Sequence, residues 1–445
     1  MFAIPGPPFP KHSGGPVQWG RLNLVVRDLK DESLERFRQI SFDERKQEVV
    51  VCEQRPTRLK HTTPLLYLDA TADSMVTNAY LGPMRQHSID VFQTAVVTQV
   101  HDRTGSNSSW AEKVEQEKAN LKRDDYDNQN NDVARLIVVL NTWVDLGEKP
   151  LLIGHKALVD FLKEHPLVHA KVRLAHFMSV RGSNDYKDCS VIFITGRNQP
   201  SYDAITRQAM SVFGPEAIPI VPDDPTDMPE DIVDYWLSER SNQNPSAIAV
   251  PVFSDPRVEA VHKQLRDSET LQSIARLRLV WSDYQKHVFL LSNLPIEMPV
   301  DHLVSFDSLL PDRLEQELLK QGDLPLTSLG MEQMRPDLGL THDAIKSIYR
   351  RSSASTPHAM LRFVPALARA SVQIATFKAG KVRKTQHQHM FLPKRYDGDP
   401  HSATYLPWTY EQVLEHLEAG WGTDAVTDLQ VGYLHEGNTE IAGDE

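Results

Sequence analysis

Cysteine is nearly absent: the chain of 445 residues has two, Cys52 and Cys189. They stand far apart without a CxxC companion, so neither a disulfide framework nor a zinc cluster is expected, and the compartment this implies is the reducing cytoplasm. Long apolar runs are missing as well. A membrane-crossing helix needs about 18 to 20 uninterrupted apolar residues; no stretch approaches that, and no membrane partner is expected. The opening MFAIPGPPFPKHSGGPVQWG lacks the basic-then-apolar order of a secretory signal and reads as a loose arm. There is no G-x-x-x-x-G-K-[ST] phosphate loop, because Gly380-Lys381 lacks both the upstream glycine and the Ser or Thr. Nor does a buried strand end in a carboxylate pair for Mg²⁺. Asp43 and Glu44, in SFDERKQ, follow no apolar run and read as surface helix residues. His387 and His389 alternate in KTQHQHMF without the further ligands a metal site needs.

Charge is present but segregated. Overall the chain carries -12. Between Thr341 and Arg395 stand eleven Lys or Arg residues against the single acid Asp343, a net of +10 that leaves -22 on the rest. From His401 to the end there are nine acids and no Lys or Arg. The basic stretch is interleaved with Tyr349, Phe363, Phe377 and Phe391, a composition that suits a phosphate backbone with some base stacking. Docking on the chain's own acidic parts is the alternative. Within this stretch Lys381, Arg383 and Lys384 are the densest candidates for nucleic-acid contact.

Between these extremes runs an alternation of short apolar runs with helical periodicity. PLLYLD (64-69) reads as a buried strand and 89-100 as β-like, while 101-131 is a polar, charged excursion. A helix is expected over 132-143, a strand over 150-155, a helix over 157-164, and strands over 171-177 and 189-196. Next come a helix over 200-213, a strand over 246-253, a long helix over 255-276 and a closing strand over 287-293. Further on, Gly339 to Arg351 reads as a helix opened by Thr341, and 375-395 as a strand or hairpin. This rhythm implies a largely parallel α/β sheet covered by helices on both faces, with its chemistry in loops beyond the carboxyl ends of the strands.

Four strand exits carry polar residues in a suggestive order. LLYLDATAD places Asp69, Thr71 and Asp73 at one, where an Asx or ST turn explains them equally well. IGHKALVDFL places His155 and Lys156 at the second, though Lys156 also fits an ordinary helix surface. HFMSVRGSNDYKDCSVIFITGRNQP offers Arg181, Gly182, Ser183 and Asn184, then Gly196 and Arg197. Gly182 lets backbone approach a phosphate closely, and Ser183 and Asn184 can bond a phosphate or nucleotide sugar. Finally, QSIARLRLVW offers Gln272, Arg276 and Arg278, which otherwise form the surface of a helix burying Leu271, Ile274, Ala275 and Leu279.

In this order the segments resemble motifs III to VI of the second RecA-like motor half of superfamily 2 DEAD/DEAH-type helicases, of the kind found in phage and plasmid helicase-like proteins. The match continues through HVFLLSNLPIEMPVDHL (287-303), and it covers roughly residues 61 to 305. The resemblance implies a RecA-like domain over 61-305, an accessory arm over 1-60, a basic accessory domain over 306-400 and an acidic tail over 401-445. It implies Asp69, Thr71, Gly182, Ser183 and Asn184 near nucleotide, and His155, Lys156, Arg181 and Arg197 near nucleic acid, with DNA the expected form. It also implies that Arg276, Arg278 and Gln272 serve catalysis, because arginines of this motif reach the γ-phosphate of ATP held by the other motor half. Guanidinium suits that role by its fixed charge and forked donors. The spacing departs from the usual form, which places the second arginine three residues after the first; position 279 is Leu. Phosphoryl transfer requires phosphate cradle, metal ligands and water-orienting group together. ATP and Mg²⁺ are therefore expected only through a partner chain with an ATP-binding domain. Without one, the chain reads as an inactive scaffold or as the product of a mobile element.

Overall fold

The computed structural model describes residues 27, 30, 39-43, 46-52, 65-67, 71-87, 95-122, 131-145, 147-180, 182-214, 218-241, 243-311, 324-325, 327-336, 339-351, 373-379, 387-392, 395-396, 405-406 and 408-433. Its elements begin with β1 (Ile40–Asp43), β2 (Glu48–Val51), α1 (Ser74–Leu81) and β3 (Ala95–Val100). There follow α2 (Asn107–Asn120), α3 (Asp132–Asp145), β4 (Pro150–Gly154), α4 (Lys156–Glu164), β5 (Arg173–His176) and β6 (Val191–Thr195). Next are α5 (Tyr202–Phe213), β7 (Glu230–Asp234), β8 (Ala247–Pro251), α6 (Pro256–Ile274), β9 (Lys286–Leu290), β10 (His302–Val304) and the short α7 (Phe306–Leu309). The C-terminal part adds β11 (Leu324–Pro325), α8 (Ser328–Met334), α9 (His342–Arg351), β12 (Gln373–Ala379), β13 (Gln388–Leu392), α10 (Tyr410–Trp421) and β14 (Val426–Tyr433).

Contacts divide the chain into two units: residues 1-90, 198-233 and 249-269 form the first, and 91-197, 234-248 and 270-445 the second. The first unit draws on three separate stretches of the sequence. Its core packs Ile205, Ala209 and Phe213 of α5 against Val258 and Val261 of α6, with Cys52 and Phe253. Two expectations fail here. Asp43 ends strand β1, paired antiparallel with β2, and its carboxylate meets Arg207 at 3.0 Å rather than lying on a surface helix. In PLLYLD, the described Leu65, Leu66 and Tyr67 form no strand and are exposed, Leu66 at 80%. An apolar run alone does not specify a strand; a paired neighbour must cover it.

The second unit is built on a six-stranded sheet in the order β10-β3-β9-β6-β4-β5, parallel at every pairing. Strand alternation sorts its side chains into two cores. Leu152, Val191, Phe193 and Phe289 face one side, and Leu151, Ile153, Ile192, Ile194, Val288 and Leu290 the other. Helices α2, α3 and α4 cover the first face through Trp110, Val114, Leu136, Leu140, Trp143, Leu158 and Leu162. Their register follows the sequence. Asn131 Oδ1 accepts from Val133 N to start α3, Ser106 caps α2 through Ser109 N, and apolar residues recur at helical spacing. Phe193 and Phe289 stack at 4.6 Å at the centre. Helical cover was expected on both faces, but the second is covered within this unit mainly by irregular chain, with Phe177 and Val180, the end of α6 and its 3-10 turn, and Ile296 to Val300. The architecture is α/β with a parallel sheet flanked by helices, compatible with a RecA-like fold in general.

The C-terminal part of this unit forms a four-stranded sheet in the order β11-β13-β12-β14, with α10 packed on it through Val413 and Leu417. The stretch expected as an acidic tail thus supplies a helix with a full capping box, Thr409 with Gln412, and a strand pairing antiparallel with β12 of the basic stretch. Lys378 on β12 meets Asp428 on β14 at 2.5 Å, one point where basic and acidic stretches neutralise each other. Thr341 caps α9 as its position in the sequence suggests. Among the described residues no helix is long and apolar enough to cross a membrane.

Candidate functional site

Parallel strands send all their exits to one edge of the sheet, and here three glycines draw those exits together. Gly196, just beyond β6, has φ +92°, and a Cβ there would lie 2.0 Å from the Gly105 carbonyl and 3.0 Å from His155 Nε2. Gly105, beyond β3, has φ +62°, and its Cβ would lie 2.4 Å from the Leu291 carbonyl beyond β9. At the end of β4, a Cβ on Gly154 would meet Thr195 Oγ1 at 2.0 Å. Only glycine permits this convergence of four strand exits.

His155 leaves β4 as the residue preceding α4, with extended backbone and no side-chain cap bond. Its ring packs edge-on against Phe177 at 5.5 Å, and Nε2 makes no well-formed hydrogen bond. Burial pushes the imidazole pKa down, opposed in part by the Gly105 carbonyl facing it. Lys156 follows, exposed on the first turn of α4, and Arg197 stands half-buried beside Gly196. The carboxyl edge therefore carries His155, the exposed Lys156 and the half-buried Arg197 around the close contact of Gly105 with Gly196.

Arg276, Arg278, Ser183 and Asn184 meet elsewhere. Arg276 donates through Nη1 to the Ser183 carbonyl at 2.9 Å and through Nε to the Gln272 carbonyl at 3.1 Å. Arg278, in left-handed conformation at φ 54°, donates to Asn184 Oδ1. Neighbouring bonds fix where this cluster lies. Arg173, the first residue of β5, donates to the Asp185 carbonyl and meets Asp188 at 3.1 Å. Lys286, the first residue of β9, donates to the carbonyls of Lys187 and Leu277 at 3.0 and 2.6 Å. The segment after β5 therefore doubles back over the sheet, and the cluster sits at the amino-terminal edge, opposite His155 and Arg197. This corrects the expectation that every polar exit gathers at the carboxyl ends. Burial raises the Asp188 carboxyl, but its backbone bond and the cations Arg173 and Lys149 outweigh that and hold it below the usual range. Burial lowers the Lys286 ammonium.

Gly182, at φ +74° with open space where a Cβ would stand, lies in the same segment. Thr71 belongs to the first unit, where its carbonyl accepts from Ser268 Oγ at 3.3 Å, and Asp73 caps α1 through Val76 N at 2.9 Å. Asp69, Arg181, Lys381, Arg383 and Lys384 lie outside the described residues. Sequence reasoning missed Gly105 and Arg103, hidden in a stretch read as a polar excursion. The signal was present: a Gly five residues after the end of a β-branched run, ahead of a Ser helix cap. It also missed Asp301, which is buried and accepts from Val97 N, Ser238 Oγ and Arg240, tying β3 to the segment around 238-240. Among the described residues no group of three or more His, Cys, Asp or Glu is placed to hold a metal ion.

Compared with known proteins, the chain matches no family model, no curated protein and no solved structure.

Proposed function

We propose that the chain is a nucleic-acid-binding protein that supplies a second, helicase-type motor domain to an ATP-dependent DNA or RNA remodelling reaction, with ATP and Mg²⁺ held by a partner chain. One observation carries the reading. Strands β4 and β6 lie side by side, and they deliver His155 with Lys156 and Gly196 with Arg197 to the same edge of a parallel sheet. That is where open α/β sheets bind ligands. Cations beside close-packed glycine backbone suit a phosphate chain, whose affinity is dominated by charge. In this reading Arg276 and Arg278 are the groups that complete the partner's nucleotide site.

Anisotropy of a labelled oligonucleotide at low salt tests the binding. The chain is expected to hold single-stranded or duplex nucleic acid with an affinity that falls steeply as salt rises; no binding of either form overturns the proposal. A second reading, a scaffold without catalytic role, is favoured by the bonds that Arg276 and Arg278 already make within the chain. The two part company in a mixture with an ATP-binding partner domain. Arg276→Ala removes stimulated ATP turnover if the arginine completes the nucleotide site, and a mixture showing no stimulation with the unsubstituted chain supports the scaffold.

A further inference from the structure

Beside the carboxyl-edge glycines opens a cleft of about 300 Å³, whose lining includes the cations Arg103 and Lys113, the acids Asp102 and Asp132, and the rings of Trp110 and Phe306, with Gly105. Its volume matches the low end of small-ligand sites. Its walls are aromatic: Trp110 and Phe306 meet edge to face at 6.1 Å, and the Arg103 guanidinium lies 4.2 Å over the Phe306 ring. The hydrogen-bonding capacity left in the cleft is mostly of one kind. Asp132 is claimed by Arg103 at 2.9 Å and by Arg135 at 3.4 Å. Asp102 Oδ1 is taken by Phe306 N at 2.8 Å. Donors, by contrast, remain over. Lys113 Nζ, which offers three N–H donors, comes no nearer to Asp132 than 3.9 Å, beyond hydrogen-bond reach. Three cations converge on the one carboxylate of Asp132, and Asp307, the other acid that Arg103 meets, is 70% exposed. A lining in which three cations share one carboxylate and an ammonium keeps its donors unused favours a ligand made of acceptor oxygens.

We infer that this cleft holds a phosphate group of a bound nucleic-acid strand, with Lys113 and Arg103 as its cationic contacts and Gly105 joining it to the His155–Arg197 platform. The inference rests on the nucleic-acid reading above and extends its track from the exits of β4 and β6 to that of β3. Lys113 is the residue to change, because its ammonium makes no hydrogen bond among the described residues and its stem stands on the half-exposed side of α2.

The test measures binding of a twelve-nucleotide oligothymidylate by anisotropy across a salt series, using the full chain and the variants Lys113→Glu, Lys113→Gln and Lys163→Glu, with thermal midpoints to confirm folding. Lys163, exposed on the last turn of α4, supplies the same charge reversal away from the cleft. Lys113→Glu is expected to weaken binding about tenfold and Lys113→Gln about threefold, with the salt slope reduced by about one, while Lys163→Glu leaves both nearly unchanged. Equal effects of Lys113→Glu and Lys163→Glu overturn the cleft assignment and leave the nucleic-acid reading standing. If the unsubstituted chain binds no oligonucleotide, both fall. If inorganic phosphate raises the midpoint of the full chain but not of Lys113→Glu, while Lys113→Glu leaves oligonucleotide affinity intact, the cleft takes free phosphate and the strand assignment is overturned.

Discussion

The two edges of the six-stranded sheet are built on opposite plans. At the carboxyl edge glycines bring backbone against backbone, and the side chains nearby, His155 and Lys156, are left without ideal partners. At the amino edge the polar groups satisfy one another: Arg276 with Ser183, Arg278 with Asn184, Arg173 with Asp188, Lys286 with two carbonyls. Packing holds the first edge and hydrogen bonding the second. A polar group already satisfied inside the chain gives up a bond to meet a ligand, whereas an unsatisfied one gains. In the proposed reading the carboxyl edge binds as it stands, whereas a partner at the amino edge would have to compete for arginines already bonded within the chain.

The largest effect that sharpens this contrast is expected at Gly196. Gly196→Val forces a side chain onto the Gly105 carbonyl at a φ that β-branched residues avoid. The expected loss is about 3 kcal/mol or more in chemical denaturation. Removing the amino-edge cross-link costs less: Arg276→Ala gives up two hydrogen bonds and should lower stability by about 1-3 kcal/mol in the same assay. Gly182→Ala, strained in backbone but free of collision, should cost about 1 kcal/mol. A Gly182 penalty equal to that at Gly196 would erase the distinction between the two edges.

A smaller, pH-dependent effect comes from His155. Its folded pKa lies below the ordinary 6.5, so the unfolded chain takes up a proton first as pH falls. The contribution is full above about pH 6.5 and is lost as pH drops from there toward the lowered folded value. Denaturation midpoints should show this decline, and His155→Gln should flatten it; an unchanged slope would show that burial does not control this imidazole. Smallest of all, Lys156→Ala should shift stability by less than about 0.5 kcal/mol, since the side chain is exposed.

Much of the sheet was legible. The apolar runs at 150-155, 189-196 and 287-293 became β4, β6 and β9, and the periodic stretch at 132-143 became α3. Burial on both faces makes such strands continuous in hydrophobicity, and that signal is local. What was not legible depends on distant partners. Leu65, Leu66 and Tyr67 resemble a buried strand, yet they are exposed, and no strand among the described residues pairs with them. The segment after β5 reads as a strand exit, but its return across the sheet is set by Arg173 at the start of β5 and Lys286 at the start of β9, which meet it at the far edge. The meeting of Arg276 with Ser183 pairs two segments whose composition gives no sign of their proximity. Gly105 was concealed by its polar neighbours, although its role is steric rather than polar.

Nucleic acid is proposed to bind at the carboxyl edge of the sheet and not at the amino edge. Oligonucleotide affinity as a function of salt, compared between Lys156→Ala at the first edge and Lys187→Ala at the second, tests it directly. Lys156→Ala is expected to weaken binding severalfold and reduce the salt slope by about one, while Lys187→Ala, also exposed, changes neither. Equal losses from both, or a loss from Lys187→Ala alone, would contradict it.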